Sequence, residues 1–311
     1  MTIENVNPTV CGPARVMAFH DVQTGTLSYV LWDAATRRAA LIDPVLDFEP
    51  RAGATSTRSA DAMADYVLAE GLGVDWILET HAHADHLSAA RHLQRRLGGR
   101  IAIGENIREV QATFKKLFNL DRGFLPDGSQ FDHLFKDGER FRVGDLEIEA
   151  MLVPGHTPAD MAYHLSGRDG ADDIVLVGDT LFMPDLGSAR ADFPGGNART
   201  LYRSMRRLLA LPEATRIFVC HDYPPATREV RWVTTVAEQR AANIHARDGI
   251  DEDSFVAMRE KRDAQLAVPA LILPSLQVNV QAGELPAPED NGVRYLRIPL
   301  DALGDTAPGK S

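Results

Sequence analysis

The sequence predicts an α/β protein, α+β in its layout, with two mixed sheets sandwiched between helices. Three observations predict it. The chain opens on hairpin-like strands, buried strands then precede helices twice over, and four apolar runs each end on an imidazole or a carboxylate.

Arg15 to His20, Leu27 to Trp32 and Ala39 to Ile42 read as strands, separated by the turn-prone segments Asp21 to Gly25 and Asp33 to Thr36. Asp43-Pro44 stops the third strand. Ser59 is placed to cap a helix from about Asp61 to Glu70, with Met63, Tyr66 and Val67 on one face and Gly71 at its end. Val74 to Leu78 is a buried strand, and Leu87 to Leu97 is a helix stopped by Gly98-Gly99. Strand Ile101 to Ile103 leads into a helix from Asn106 to Phe118. There Ile107, Val110, Phe114 and Leu117 recur at helical spacing and form a core stripe.

Asp121 to His133, rich in Gly, Pro and Asp, is a surface loop. Strands follow over Glu147 to Val153, Met161 to His164 and Ile174 to Val177. Asn197 to Leu211 is helical, with Leu201, Met205 and Leu208 on one face. Strand Ile217 to Val219 precedes a long helical stretch from Arg228 to Arg247, a further helix from Glu252 to Gln265, and an irregular tail from Val268 to Leu300.

Composition narrows the class of function. The chain has 311 residues, 33 Lys+Arg against 44 Asp+Glu, and a net charge of −11. Such an acidic balance argues against a partner made of nucleic acid, whose phosphates need a basic face. At about 150 residues per domain, length alone suggests about two domains. No apolar run approaches the ~18 residues of a membrane span, and Leu266 to Pro274 comes nearest. Met1-Thr2-Ile3-Glu4-Asn5 has neither the basic nor the apolar part of a signal peptide. Two cysteines, Cys11 and Cys220, build no disulfide framework, so a cytoplasmic setting is expected.

The chemistry lies at the strand exits. Val74 to Thr80 runs into His81-Ala82-His83-Ala84-Asp85-His86, and Met151 to Gly155 into His156. Ile174 to Gly178 runs into Asp179, and Arg216 to Cys220 into His221-Asp222. Strand ends on one rim of a sheet are rigid and converge, as the ligands of a metal must. In extended chain, residues two apart point the same way, so His81 and His83 can face one ion while Asp85 and His86 face a second. Imidazole and carboxylate suit Zn, Mn or Fe, and without clustered thiolates a structural zinc site is not expected. His20, His92, His133, His164 and His245 fall outside the pattern and are expected to be solvated or hydrogen-bonded. Cys220, beside a buried strand, reads as a small core residue.

These motifs, with Pro154-Gly155-His156-Thr157, Gly178-Asp179-Thr180 and His221-Asp222-Tyr223, resemble those of the metallo-β-lactamase superfamily, in order. The resemblance implies an αββα sandwich with metals at one edge, covering roughly residues 14 to 225. Residues 226 to 311 then form a C-terminal helical extension and tail packed on the same domain, covering the substrate channel or building a homodimer contact.

Within the superfamily, His83 stands where the diiron flavoprotein branch usually has Glu. The charge disfavours the nucleases, and the lack of a signal peptide disfavours the exported lactamases. The segment Leu186 to Gly196 is similar to that of the persulfide dioxygenases in its Arg190, Asp192 and Phe193, although Ala189 and Ala191 depart from that pattern and the lead-in is longer. The whole chain resembles a bacterial subgroup called β-lactamase-like hydrolases, associated with sulfide detoxification. It shares that subgroup's Met183-Pro184-Asp185 insertion and its Leu273 to Asn279 tail.

The resemblance implies a non-haem iron oxidoreductase with one Fe(II) per chain, held by His81, His156 and Asp179. It would convert a glutathione-type persulfide and O2 to sulfite and thiol, with no nicotinamide or flavin. His83, Asp85, His86 and His221 are then hydrogen-bonded supports. Asp85, Arg190 and Tyr223 are the candidates for catalysis, Arg190 by bracing its loop against Asp192 and Tyr223 by facing substrate or as a packed ring. Sulfur transfer would depend on a separate rhodanese-type protein.

The alternative is a binuclear Zn, Fe or Mn thioesterase resembling glyoxalase II. There His81, His83 and His156 hold one ion, Asp85, His86 and His221 the other, and Asp179 bridges.

Overall fold

The computed structural model describes residues 7–167 and 172–303; Met1 to Asn5, whose sequence bears on a signal peptide, lie outside them. The chain enters through β1 (Thr9–Cys11), β2 (Ala14–His20), β3 (Leu27–Asp33) and β4 (Arg38–Ile42), all antiparallel neighbours. A small hairpin, β5 (Val45–Glu49) and β6 (Ala54–Ser56), precedes α1 (Arg58–Ala69) and β7 (Gly73–Leu78). Then come β8 (Leu87–Ser88), α2 (Ala90–Leu97), β9 (Arg100–Gly104), α3 (Ile107–Leu117) and β10 (His133–Phe135). The first sheet runs β1-β2-β3-β4-β7-β9-β10, with β4, β7, β9 and β10 parallel.

The second half supplies β11 (Glu139–Val143), β12 (Leu146–Leu152), β13 (Met161–Leu165), β14 (Ile174–Leu176), α4 (Ala198–Leu208) and β15 (Arg216–Phe218). It ends with β16 (Val233–Thr235), α5 (Val236–Ala242), α6 (Glu252–Asp263) and α7 (Ile272–Asn279). The second sheet follows chain order from β11 to β16 and is mixed, since only β14 and β15 run parallel. Among the described residues no helix is long and apolar enough to cross a membrane.

Period-two alternation splits the core. Along β3, Tyr29 and Leu31 face the second sheet, where they join Ile148, Tyr163 and Leu176. Val30 and Trp32 face the helices and pack with Met63, Val67, Leu93 and Phe114. Each fully buried side chain of this size contributes roughly 1.5–3 kcal/mol, so these layers hold the rim of the sheets rigid. Residues 226–303 join the same body: β16 extends the second sheet, α6 packs on α4, and α7 packs on β8.

Several local expectations are corrected by tertiary partners. Ser59 is not the cap of α1 but lies inside it, bonding Asp47 of the β5–β6 hairpin through its backbone N–H (3.0 Å) and hydroxyl (2.6 Å). Leu87 and Ser88 are strand, because Leu46 and Val45 pair with them, so α2 starts only at Ala90. The stretch from Arg228 to Arg247 is not one helix. Val233-Thr234-Thr235 is a β-branched run that pairs with β15, and Thr235 and Glu238 form a capping box that starts α5. The tail is not wholly irregular, since it contains α7, and the loop from Asp121 ends on strand β10.

Candidate metal centre

The loop after β7 turns sharply because Asp43, at the exit of β4, grips it. Asp43 accepts from the Thr80 backbone N–H (2.7 Å) and the Thr80 hydroxyl (2.8 Å), and it also meets His83 Nε2 at 3.0 Å. Asp43 holds this position at a φ of 50°, a left-handed conformation that a non-glycine residue adopts at a cost.

These contacts decide tautomers. The Thr80 hydroxyl donates to Asp43, so its oxygen accepts from His81 Nδ1 (3.0 Å), and the lone pair of His81 stands on Nε2. His83 donates from Nε2 to Asp43, so in its neutral form the lone pair stands on Nδ1. His156 Nδ1 donates to the backbone oxygen of Arg190 (2.8 Å), so its Nε2 is free. His86 Nδ1 faces Asp85 Oδ2 at 3.1 Å, and His221 Nδ1 faces the Tyr223 hydroxyl at 3.1 Å. In all five imidazoles one nitrogen is held by protein and the other is left over, as in histidines that bind metal.

The leftover atoms converge. Asp179 Oδ2 lies 3.6 Å from His156 Nε2 and 4.0 Å from His81 Nε2, while Asp179 Oδ1 lies 3.4 Å from His221 Nε2. Ligand atoms of His81, His156 and Asp179 all lie within 4.8 Å of one another, as do those of His83, Asp85 and His86. His221 Nε2 is also 3.5 Å from Asp85 Oδ2 and so links the two groups. His81 Nε2, His83 Nδ1, His86 Nε2 and Asp179 Oδ1 are buried without a hydrogen-bond partner among the described residues. Each such orphan costs roughly 1–3 kcal/mol if nothing binds it. Buried orphans of this kind, all imidazole or carboxylate and drawn from the two adjacent groups, fit a borderline divalent cation.

Electrostatics sort the histidines. Burial, helped by the neighbouring His83 and His156, pushes His81 well below the ordinary histidine value and keeps it in the neutral, ligating form. Burial opposes a charge on His83 too, but Asp43 at 3.0 Å and Glu79 at 3.5 Å outweigh it and push His83 well up. Burial raises Glu79, whereas His86 and His221 hold Asp85 down against burial.

Arg190 braces its loop with a bidentate pair to Asp192 (2.6 and 2.7 Å) and a bond to the Ala267 oxygen (2.8 Å), and its own carbonyl aligns His156. Tyr223 is half exposed, its ring stacked on His221 at 5.5 Å. Both line a cleft of about 530 Å3 that opens over His156, Asp179 and His221. Arg262 lines the same cleft and has no carboxylate partner among the described residues. Cys220 is buried, its thiol raised by burial and 3.6 Å from Asp43.

Other histidines serve locally: His92 meets Asp61, His133 meets Glu139, and His245 Nδ1 accepts from the Ser188 backbone N–H. Three important residues escape the motif reading. Asp43 follows the apolar Leu41-Ile42, the same strand-exit signal as the ligands, and so was detectable. Glu79 likewise follows Ile77-Leu78 at the end of β7, whereas Asn279 closes the Leu273 to Asn279 tail with no strand-exit signal. Asn279 Nδ2 donates to the carbonyls of His83 and His86, both at 2.8 Å.

The sequence pattern of the metallo-beta-lactamase superfamily matches residues 22–221. Among curated relatives, a probable metallo-hydrolase of Burkholderia pseudomallei is 55% identical over 93% of this chain and 99% of its own. Glyoxylase B2 of Dictyostelium discoideum is 47% identical over 93% of this chain and 98% of its own. The mitochondrial persulfide dioxygenase ETHE1 of Homo sapiens is 32% identical over 70% of each chain. Among solved structures, ETHE1 from Myxococcus xanthus superposes with a TM-score of 0.68 at 28% identity, covering 86% of this chain and 99% of that one.

Proposed function

The chain belongs to the metallo-beta-lactamase superfamily, and we propose that within it the protein oxidises a glutathione-type persulfide with O2, using one Fe(II). The observation that carries this reading is the trio His81, His156 and Asp179, which closes on itself while His83 is engaged by Asp43 and Glu79. Two imidazoles and a carboxylate leave room for two reactants beside the ion. His81, His156 and Asp179 would hold the iron, which would supply binding and activation of O2 and of the persulfide sulfur. The similarity to persulfide dioxygenases in sequence and structure supports the same choice.

The reaction balances without a further cofactor. R-S-SH, O2 and water become R-SH and sulfurous acid; the two sulfurs together lose four electrons and O2 takes all four. The chain's own part is orientation. Asp43 sets the tautomers of His81 and His83, the Arg190 carbonyl aligns His156, and the Arg190–Asp192 brace keeps that carbonyl in place. Tyr223 and Arg262 line the cleft, where Arg262 offers a cation to a substrate carboxylate.

A second reading, a binuclear thioesterase, is favoured by the adjacent His83, Asp85 and His86 group with its own orphaned nitrogens, and by the relative named Glyoxylase B2. Anaerobic purification with metal analysis, then O2 uptake and sulfite release with glutathione persulfide, separates the two. One iron per chain with persulfide-dependent O2 uptake is expected; two metals with thioester cleavage and no O2 uptake would overturn the proposal.

A further inference from the structure

We propose that Asn279 makes α7 part of the metal centre, as a positioning residue for the loop that carries His83, Asp85 and His86. The inference rests on metal binding at this site and not on which reaction follows.

The segment from His81 to Ser88 is almost wholly buried, so its backbone polar groups must find partners inside the protein. Three of them find one side chain. Asn279 Nδ2 donates to the carbonyls of His83 (2.8 Å) and His86 (2.8 Å), and its Oδ1 accepts from the Ser88 N–H (2.7 Å). The amide orientation follows from the chemistry: carbonyls only accept and an N–H only donates, so nitrogen and oxygen cannot be exchanged. One planar group, 4% exposed, therefore sets the spacing between the carbonyls of His83 and His86, with Asp85 between them.

α7 is built to deliver that amide. Ile272, Leu276, Val278 and Val280 anchor it in the helical layer. Beyond it, Gly283 takes a φ of 78° and passes so close to Ser88 that a Cβ would stand 2.8 Å from its carbonyl oxygen. Ser88 in turn bonds Glu79, which reaches His83 Nε2 at 3.5 Å. Asn279 thus touches the loop directly and, through Ser88 and Glu79, the far side of His83. It lies 196 residues from His83 and outside the stretch 22–221 matched by the superfamily pattern.

The test compares Asn279 with a neighbour on the same helix. Gln277 is also buried and makes three bonds, to the Leu273 oxygen (2.7 Å), the Arg297 oxygen (2.9 Å) and the Arg297 N–H (2.8 Å), but none to the loop. Competitive chelator titration of the cobalt-substituted protein measures affinity without turnover, and its visible spectrum reports ligand geometry. Asn279→Asp and Asn279→Ala are expected to weaken metal binding about 10–100-fold and to shift the spectrum, as loss of an orienting partner does. Gln277→Ala is expected to lower the melting temperature of the metal-free protein while leaving affinity and spectrum as in the wild type. Asn279→Ser, which keeps one donor and one acceptor, reports the same loss in smaller degree if the other two variants do not fold. Wild-type affinity in the Asn279 variants, or an equal loss in Gln277→Ala, would overturn the proposal. A wild-type protein that binds metal but oxidises no persulfide would overturn the reaction proposed above and leave Asn279 its role.

Discussion

At the scale of the residue, Asp43 does the most with the fewest atoms. It orders His81 through Thr80 and His83 directly, so one carboxylate decides two tautomers. Asp43→Asn keeps the shape but cannot accept from every donor around it. Its metal affinity is expected to fall about 10–100-fold, read by chelator competition. The roles of the histidines separate more sharply. Metal analysis of anaerobically prepared variants is expected to find His156→Ala empty and His83→Ala still largely loaded, because His156 belongs to the trio and His83 faces Asp43 and Glu79. Equal loss in both would refute a single ion held by the trio.

At the scale of the element, the second sheet ends where a helix is expected from sequence. Helical spacing runs through Arg228 to Arg247, yet β15 offers an open edge, and Val233-Thr234-Thr235 takes it. The consequence is testable at Thr235. As the cap of α5 it should cost about 1 kcal/mol when replaced by Ala, measured by urea unfolding. Were Thr235 inside a continuous helix, the same change would stabilise the protein. The same competition, local preference against a distant partner, explains Ser59 and Leu87. Asp47 and the β5 edge lie near them only in the folded chain.

At the scale of the whole molecule, acid stability carries a mark of the burial of His245. Burial, with Arg259 and Arg262 nearby, lowers the His245 pKa to about 4 from the ordinary 6.5. Below pH 6.5 the unfolded chain takes up a proton that folded His245 refuses until about pH 4. Stability from this site is therefore full above 6.5, falls as pH drops toward 4, and is then level. Between pH 7 and 5 the loss amounts to roughly 2 kcal/mol. Urea unfolding at both pH values should show His245→Gln losing about that much less than the wild type. An identical loss would remove His245 as the cause.

The amino-acid sequence by itself determined the sandwich class, the strand exits and the set of ligand-type residues, because alternation and the residue after a strand are local properties. Even the role of Asp43 stood within reach of that logic, as one more carboxylate at a strand exit. Only the tertiary structure decided which ring nitrogen each histidine offers, that Glu79 flanks His83, and that Asn279 holds the ligand loop. Those facts depend on partners such as Asp43 and Asn279, 40 and 196 residues from His83. Contacts at such distances are made by packing two sheets and a C-terminal helix into one body, and no periodicity along the chain encodes them.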